Sequence, residues 1–448
     1  MKVALVHTGI SRCGFNSYGT SQEASWISHG LCSLSAVAKR KGYDIELIDL
    51  RRLRGWNDFR NALLSLSPDV IGFTMMTVDF DTVRRGTAEC RNVLPDCRII
   101  VGGPHPSIMP DEVLALEGVH HIVQGEGEIV FVQLLDAISR GEDFPRSIKG
   151  IFADLDDLPF ADRSFYPLPE TPFHPAFPPP FVTIITGRGC IYNCSFCQPA
   201  ERMIFGRKVR RRSVGNVIDE LEQLRVSTGF NSFMIHDDCL TEDEDWVHRF
   251  CDAYVAAGFG KPFICQTRAD IICKKPDMIR HLRDAGLKMF SIGFESGNDR
   301  ILRLLRKGVT AEQNRRAAEI CHELGIMIDA NYMLGMPTET EDEMMDTVRM
   351  INEMEPEIRS ASFFTPHPGT DLFNYCLAHN LLLTTDHREF RRNPYGRKIK
   401  GVDYKVVRKM LWKSRGPFKL SHIKLFISDQ PGLYKAFKWI GGFVRRVA

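Results

Sequence analysis

Twice along this chain short apolar runs alternate with helical patterns, and a proline-rich stretch separates the two series. The first series contains Val3 to Val6, Leu31 to Arg40, Ile45 to Asp49, Asp58 to Leu66, Asp69 to Phe73, Arg98 to Gly103 and His121 to Val123. Strands that recur with helices between them build a parallel sheet, since an antiparallel neighbour needs only a tight turn. The expectation is a doubly wound, Rossmann-like α/β domain over residues 1–140, with any ligand at the carboxyl ends of its strands. Those ends read Thr8-Gly9, Thr74-Met75-Met76-Thr77, Gly102-Gly103-Pro104-His105-Pro106 and Gly125-Glu126-Gly127-Glu128. Glycines there let backbone approach a ligand closely.

Residues 141–180 read as a linker, because Pro167, Pro169, Pro172, Pro175 and Pro178-Pro179-Pro180 cannot hold a helix and favour extended chain. The second series runs over residues 181–375 and repeats a strand-helix unit about six times, which predicts a partial (β/α)6 barrel of the TIM type. A chain of 448 residues has ample length for both domains. Residues 376–448 form a small, mainly helical C-terminal segment in this reading.

Just after the first apolar run of the second series comes Gly187-Arg188-Gly189-Cys190-Ile191-Tyr192-Asn193-Cys194-Ser195-Phe196-Cys197. Three cysteines at C-x3-C-x2-C spacing on an irregular loop can turn all three sulfurs toward one centre, and clustered thiolates favour zinc or iron-sulfur. Only three ligands are gathered here. On a cubane cluster that leaves one iron open, whereas zinc would draw a fourth ligand from a distant His or Cys. The remaining cysteines among the thirteen, Cys239, Cys251, Cys265, Cys273 and Cys321 included, lack ligand spacing and read as reduced core thiols of a cytoplasmic protein.

This loop, with an aromatic before its last cysteine, resembles the cluster loop of radical S-adenosylmethionine (SAM) enzymes. The first domain is similar to the cobalamin (B12)-binding domain that precedes the barrel in one large class of them, the class B methylases and relatives such as the anaerobic oxidative cyclases. Gly30-Leu31, Asp69-Val70-Ile71-Gly72, Gly102-Gly103-Pro104-His105-Pro106 and Gln124-Gly125-Glu126-Gly127-Glu128 carry that likeness. Trp26 to His29 depart from the class, and the chain has no Asp-x-His-x-x-Gly motif, so the resemblance implies no protein histidine on cobalt.

The resemblance implies three cofactors: a [4Fe-4S] cluster on Cys190, Cys194 and Cys197, SAM, and cobalamin. For SAM it implies Asp238 and Arg268 at the ammonium and carboxylate, Glu295 and Ser296 in Gly293-Phe294-Glu295-Ser296-Gly297, and Phe196, Leu334 and Gly335 flanking adenine. For cobalamin it implies Gly9, Thr74, Met75, Met76, Gly102, Gly103, His105, Gly125, Glu126 and Gly127. The activity implied is methylation of an unactivated carbon through a 5′-deoxyadenosyl radical and methylcobalamin, in an oxygen-sensitive enzyme fed by a low-potential electron donor such as flavodoxin or ferredoxin. Cyclisation, rearrangement or oxidation without methyl transfer is the alternative. A non-enzymatic metal-binding scaffold that docks a membrane or partner is a second.

The tail differs in character. From Arg388 to Ala448 there are seventeen Lys and Arg against three acidic residues, in a chain whose net charge is only +2. Such a basic appendage implies an anionic partner. Pro431 to Ala448 reads as an amphipathic helix, with Leu433, Phe437, Ile440, Val444 and Val447 on one face and Lys435, Lys438, Arg445 and Arg446 opposite. It either lies on the inner face of a membrane or packs on the barrel, and a membrane contact would favour a lipid-like substrate. Nucleic acid is disfavoured for want of a binding motif. No run of eighteen apolar residues occurs, so no spanning helix is expected.

Overall fold

A computed structural model describes residues 1–9, 26–167, 174–197, 199–384, 386–390 and 396–416. The chain divides into two compact units. One comprises residues 1–152 and 161–166, the other residues 153–160 and 167–416.

The strands of the first unit are β1 (Lys2–His7), β2 (Asp44–Asp49), β3 (Val70–Thr74), β4 (Arg98–Gly102), β5 (His121–Gln124) and β6 (Ser147–Lys149). They pair in parallel in the order β2-β1-β3-β4-β5-β6. Successive side chains of a strand point to opposite faces. Accordingly Ala4, Val6, Ile71, Phe73, Ile99 and Val101 join one apolar cluster, while Val3, Leu5, Val70, Ile100 and Val123 join the other. Both faces are buried under helices, which is why these strands read as unbroken apolar runs.

The segment expected to be linker does more than connect. Ser147–Lys149 adds the sixth strand, and Gly150 then packs so tightly on the Glu126 backbone that a Cβ there would lie 2.0 Å from the carbonyl oxygen. Residues 161–166 also return to the first unit. Asp162 accepts from Ser35 Oγ at 2.6 Å and Lys39 Nζ at 2.7 Å, and Tyr166 Oη lies 2.9 Å from His7 Nδ1. A three-residue strand with Ser and Lys at its ends carries no apolar run to betray it.

The second unit contains β7 (Phe181–Ile184), β8 (Gly187–Arg188), β9 (Arg210–Arg211), β10 (Ser232–Ile235), β11 (Phe263–Thr267), β12 (Leu287–Glu295), β13 (Met327–Leu334) and β14 (Ile358–Phe363). Six of them form a curled parallel sheet in sequence order, β7-β10-β11-β12-β13-β14, and β8 and β9 form a small antiparallel ribbon. This is the expected partial barrel.

Its two faces differ. Phe290, Ile292, Phe294, Ile328, Ala330 and Tyr332 belong to the main core under the helices. Alternate positions Ser291, Asp329 and Asn331 therefore face the inner, concave side. The helix Tyr404–Ser414, from the expected C-terminal segment, is part of this unit. Its Tyr404, Val407, Met410 and Leu411 pack with Leu334, Met344, Val348 and Phe363, and Tyr332 Oη donates to Ser414 Oγ at 2.6 Å. Among the described residues no helix is long and apolar enough to cross a membrane. The helix expected from Pro431 to Ala448 lies outside the described residues.

Candidate active site

The cysteine loop follows β7 and is pinned from several sides. Ser195 N donates to the Leu305 carbonyl at 2.9 Å, Ser195 Oγ to the Leu304 carbonyl at 2.8 Å, and Leu372 N to the Ser195 carbonyl at 2.9 Å. Arg202 holds Asn193 Oδ1 at 2.5 Å. Cys190 and Cys194 are half-buried, Cys197 is exposed, and all three are free of disulfides. Burial pushes the Cys190 thiol up to about 11. A thiolate there calls for a cation, and three cysteine donors carried on one loop are the donor set of an iron-sulfur cluster.

Arg268 ends β11 directly beneath this loop. Its guanidinium lies 3.6 Å from the centre of the Tyr192 ring, Nη1 is 3.9 Å from Cys194 Sγ, Nε donates to Asp270 at 3.0 Å, and Nη2 donates to the Lys307 carbonyl. Stacking and a forked donor set are properties lysine lacks. Lys307 in turn reaches Glu295, Nζ to Oε1 at 3.1 Å, with both side chains almost buried. Burial works against the Lys307 charge, but the Glu295 carboxylate outweighs it and the ammonium is held above its ordinary range. Cys194, Arg268, Lys307 and Glu295 are thus one connected network.

Glu295 closes β12 in an unusual backbone state, with φ of 66°, at a register irregularity against β13. A left-handed conformation is costly for glutamate, and such strain gathers at sites where surrounding structure fixes a side chain. Gly293 clears the space. A Cβ there would lie 2.3 Å from Glu295 Oε1 and 2.8 Å from Lys307 Nζ.

The other expected SAM residues divide into two groups. Asp238 is exposed at the end of β10. Its neighbour Asp237 is buried and occupied by Thr186 and Arg211, burial raising its pKa against the pull of Arg211. Gly335, φ 83°, ends β13, and its N–H donates to Glu339 Oε2 at 2.7 Å, as that of Met336 does at 2.9 Å. Phe196 packs against the cluster containing Leu305 and Met336. Two residues turn inward instead. Ser296 is fully buried with its hydroxyl 3.1 Å from Thr347 Oγ1, and Leu334 is fully buried in the core under the last helix.

The reading of the sequence passed over Tyr192, Lys307 and Glu339. Tyr192 lay in plain view between two cysteines. Lys307 and Glu339 act through buried geometry, and no motif spacing announces them. A further group lines the concave face: Ser291 Oγ donates to Asp329 Oδ2 at 2.9 Å, Ser360 Oγ to Oδ1 at 2.7 Å, and Asn331 Nδ2 to Ser291 Oγ at 3.0 Å. Among the described residues Asp329 enters no ion pair, and burial raises its pKa.

In the first unit the strand order reverses between β1 and β3, the place where doubly wound sheets open a ligand crevice. Thr8 Oγ1 donates to the Thr74 carbonyl across this point at 2.9 Å. Gly9, Thr74, Gly102 and Gly125 lie along the same edge, and Met76 is 47% exposed there. Gly103, φ 110°, admits no side chain, since a Cβ would lie 2.9 Å from Met75 N. Backbone thus forms the rim, as a large flat ligand requires. Three of the expected residues are buried. Met75 is fully buried, Glu126 is buried against Gly150, and His105 is buried with Nδ1 3.2 Å from Thr77 Oγ1 and Nε2 3.3 Å from Glu112. Gly127 precedes the helix Glu128–Arg140.

Comparison with known proteins agrees with this division. Residues 184–351 match the model of the Radical SAM superfamily and residues 18–135 that of the B12 binding domain. The chain belongs to the radical SAM enzymes that carry a B12-binding domain. The matched domains are those that use SAM and bind cobalamin. It is 26% identical over 421 residues to an uncharacterized methyltransferase of Pyrococcus horikoshii, covering 89% of each chain. It is also 26% identical over 407 residues to the anaerobic magnesium-protoporphyrin IX monomethyl ester cyclase of Rubrivivax gelatinosus, covering 83% of this chain and 69% of that one. Its fold is similar to that of the radical S-adenosylmethionine methyltransferase TsrM from Kitasatospora setae, with a TM-score of 0.66 at 18% identity over 89% of this chain and 84% of the other.

Proposed function

We propose that this enzyme methylates an unactivated carbon of a small polar substrate held on the concave face of the barrel. The observation that carries this reading is the joining of Cys194, Arg268, Lys307 and Glu295 into one network at the strand ends, in a chain that also has a B12-binding domain. When bound, the cluster and SAM supply a 5′-deoxyadenosyl radical and cobalamin carries the methyl group. Cys190, Cys194 and Cys197 hold the cluster. Arg268 binds the SAM carboxylate, Asp238 its ammonium, and Glu295 the ribose or amino-acid end, while Gly335 offers backbone to adenine. Gly9, Thr74, Gly102, Gly103 and Gly125 border the cobalamin.

The band of Ser291, Asp329, Asn331 and Ser360 favours a substrate with hydroxyl or basic groups over a lipid-like one. A carboxyl buried without a counter-charge gains most from a hydrogen-bond donor or cation brought by the substrate. A second reading, cyclisation or oxidation without methyl transfer, is supported by likeness to the cyclase at the same 26% identity.

Anaerobic purification followed by iron, sulfide and cobalt analysis, then incubation with methyl-labelled SAM, reductant and a panel of polar metabolites, tests the proposal. Label in a carbon-methylated product is expected. Substrate consumption without label would move the enzyme to the second reading, and zinc in place of about four irons would end both.

A further inference from the structure

The segment that follows the cysteine loop is strongly basic, and most of its cations are spoken for. Arg202 pairs with Asp371, Arg211 with Asp237 and Glu242, and Arg212 with Glu220, while Arg210 donates to the Ala153 carbonyl at 2.7 Å. Arg207 and Lys208 differ. Both are exposed, and among the described residues neither enters an ion pair.

Their position is fixed. Arg207 Nε donates to the Ile191 carbonyl at 3.0 Å. Lys208 presses its own carbonyl onto Gly189, where φ is 99° and a Cβ would lie 2.2 Å from that oxygen. The β8–β9 ribbon ties the two ends together through Gly187 with Arg211 and Arg188 with Arg210. The Arg207 guanidinium is therefore held at Ile191, and the backbone of Lys208 is fixed against Gly189, next to Cys190. In the same two stretches Ile191 is 36% and Met203 55% exposed. One exposed isoleucine next to a held guanidinium is too slight for a permanent interface and suits a brief encounter steered by charge.

We propose that Arg207 and Lys208, with Ile191 and Met203, form the docking surface for an acidic one-electron donor protein of the flavoprotein type. The inference rests on the proposed cluster at Cys190, Cys194 and Cys197. In the step served, a flavin hydroquinone anion gives one electron and becomes the neutral semiquinone, the cluster passes from the 2+ to the 1+ state, and no proton moves. Two cations within a few residues of a cluster ligand place the donor where the electron is needed. They also raise the encounter rate, an effect that salt screens over a Debye length of about 10 Å at 0.1 M.

The test is stopped-flow reduction of the reconstituted protein by a flavodoxin hydroquinone, followed by cluster absorbance, for wild type, Lys208→Glu, Arg207→Glu/Lys208→Glu and Arg207→Lys. At low ionic strength the double reversal is expected to slow reduction by at least about tenfold, within the usual range of electrostatic steering. Wild type should slow with added salt, and Arg207→Lys should keep its rate. Reduction by titanium(III) citrate and the iron content should stay unchanged in all variants.

Equal rates for wild type and Lys208→Glu at low salt would overturn the inference, as would equal losses with both reductants. Binding to anionic liposomes that Lys208→Glu abolishes, with flavodoxin rates unaltered, would assign the patch to a membrane instead. Failure of wild type to take up iron would fell the proposed function itself, an outcome distinct from these.

Discussion

Lys307 sets its ammonium 3.1 Å from the Glu295 carboxylate beside the bare α-carbon of Gly293, so a lysine from beyond the end of β12 shares one buried space with two residues of that strand. Gly293→Ala puts a methyl into that space. The pair must separate or β12 must shift, and overpacking of this kind costs about 1–3 kcal/mol. Chemical denaturation is expected to show that loss, and equilibrium dialysis a weaker hold on SAM.

Removing the cation alone is more severe. Lys307→Met leaves the Glu295 carboxylate buried beside no partner, and breaking a buried pair from one side costs about 3–5 kcal/mol. The double variant Lys307→Met/Glu295→Gln should recover part of that stability without recovering SAM binding. A double-mutant cycle in urea measures the coupling directly.

Arg268→Lys tests geometry at constant charge. Lysine cannot stack on Tyr192 while also reaching Asp270, the Lys307 carbonyl and Cys194. Iron content is expected to hold, while affinity for SAM falls by about tenfold, a loss of about 1.4 kcal/mol. Perturbation of the reduced-cluster EPR signal on adding SAM reports it.

Burial raises Glu339 from its usual 4.5 to about 7, even though it accepts from the Gly335 and Met336 amides. The folded state therefore binds this proton more tightly than the unfolded chain does. Its contribution is fully present below the unfolded pKa and is lost as pH rises through 7, by about 3 kcal/mol at most. Glu339→Gln keeps an acceptor for both amides and carries no charge, so unfolding free energies at pH 5 and pH 8 should differ less than in wild type.

Asp329→Asn separates substrate recognition from folding. The amide can accept from one of Ser291 and Ser360 through Oδ1 and donate to the hydroxyl of the other through Nδ2, and it removes a carboxyl whose charged form burial disfavours. Stability at pH 8 should rise or stay level, and SAM cleavage without substrate should be unaltered. Methyl transfer to a polar substrate should fall by at least about tenfold if the carboxyl contributes a charge-assisted hydrogen bond. A parallel fall in all three would mark it as structural.

Both sheets were legible in the sequence because parallel strands buried under helices write themselves as apolar runs, Val3 to Val6 and Phe181 to Ile184 among them. The cysteine loop was legible because ligand spacing is a local property. Ser147–Lys149 was hidden by its brevity. Lys307 was hidden because its role depends on Gly293 and Glu295, more than ten residues upstream, and on a backbone turn at Glu295 that no residue type predicts. His105, Met75 and Ser296 sit in the right motifs yet point into the protein, since a motif fixes position along the chain and not the direction of a side chain.

The order β7-β10-β11-β12-β13-β14 has a consequence for how the second unit comes into being. Every strand of this sheet pairs with the strand before or after it in the sheet, so each pairing closes over one crossover connection. The sheet can grow one unit at a time as the chain leaves the ribosome. The cysteine loop follows the first strand of the sheet, whereas its braces Leu305 and Leu372 are made later. Its thiols therefore stay open to cluster delivery until those residues have been made and close on the loop.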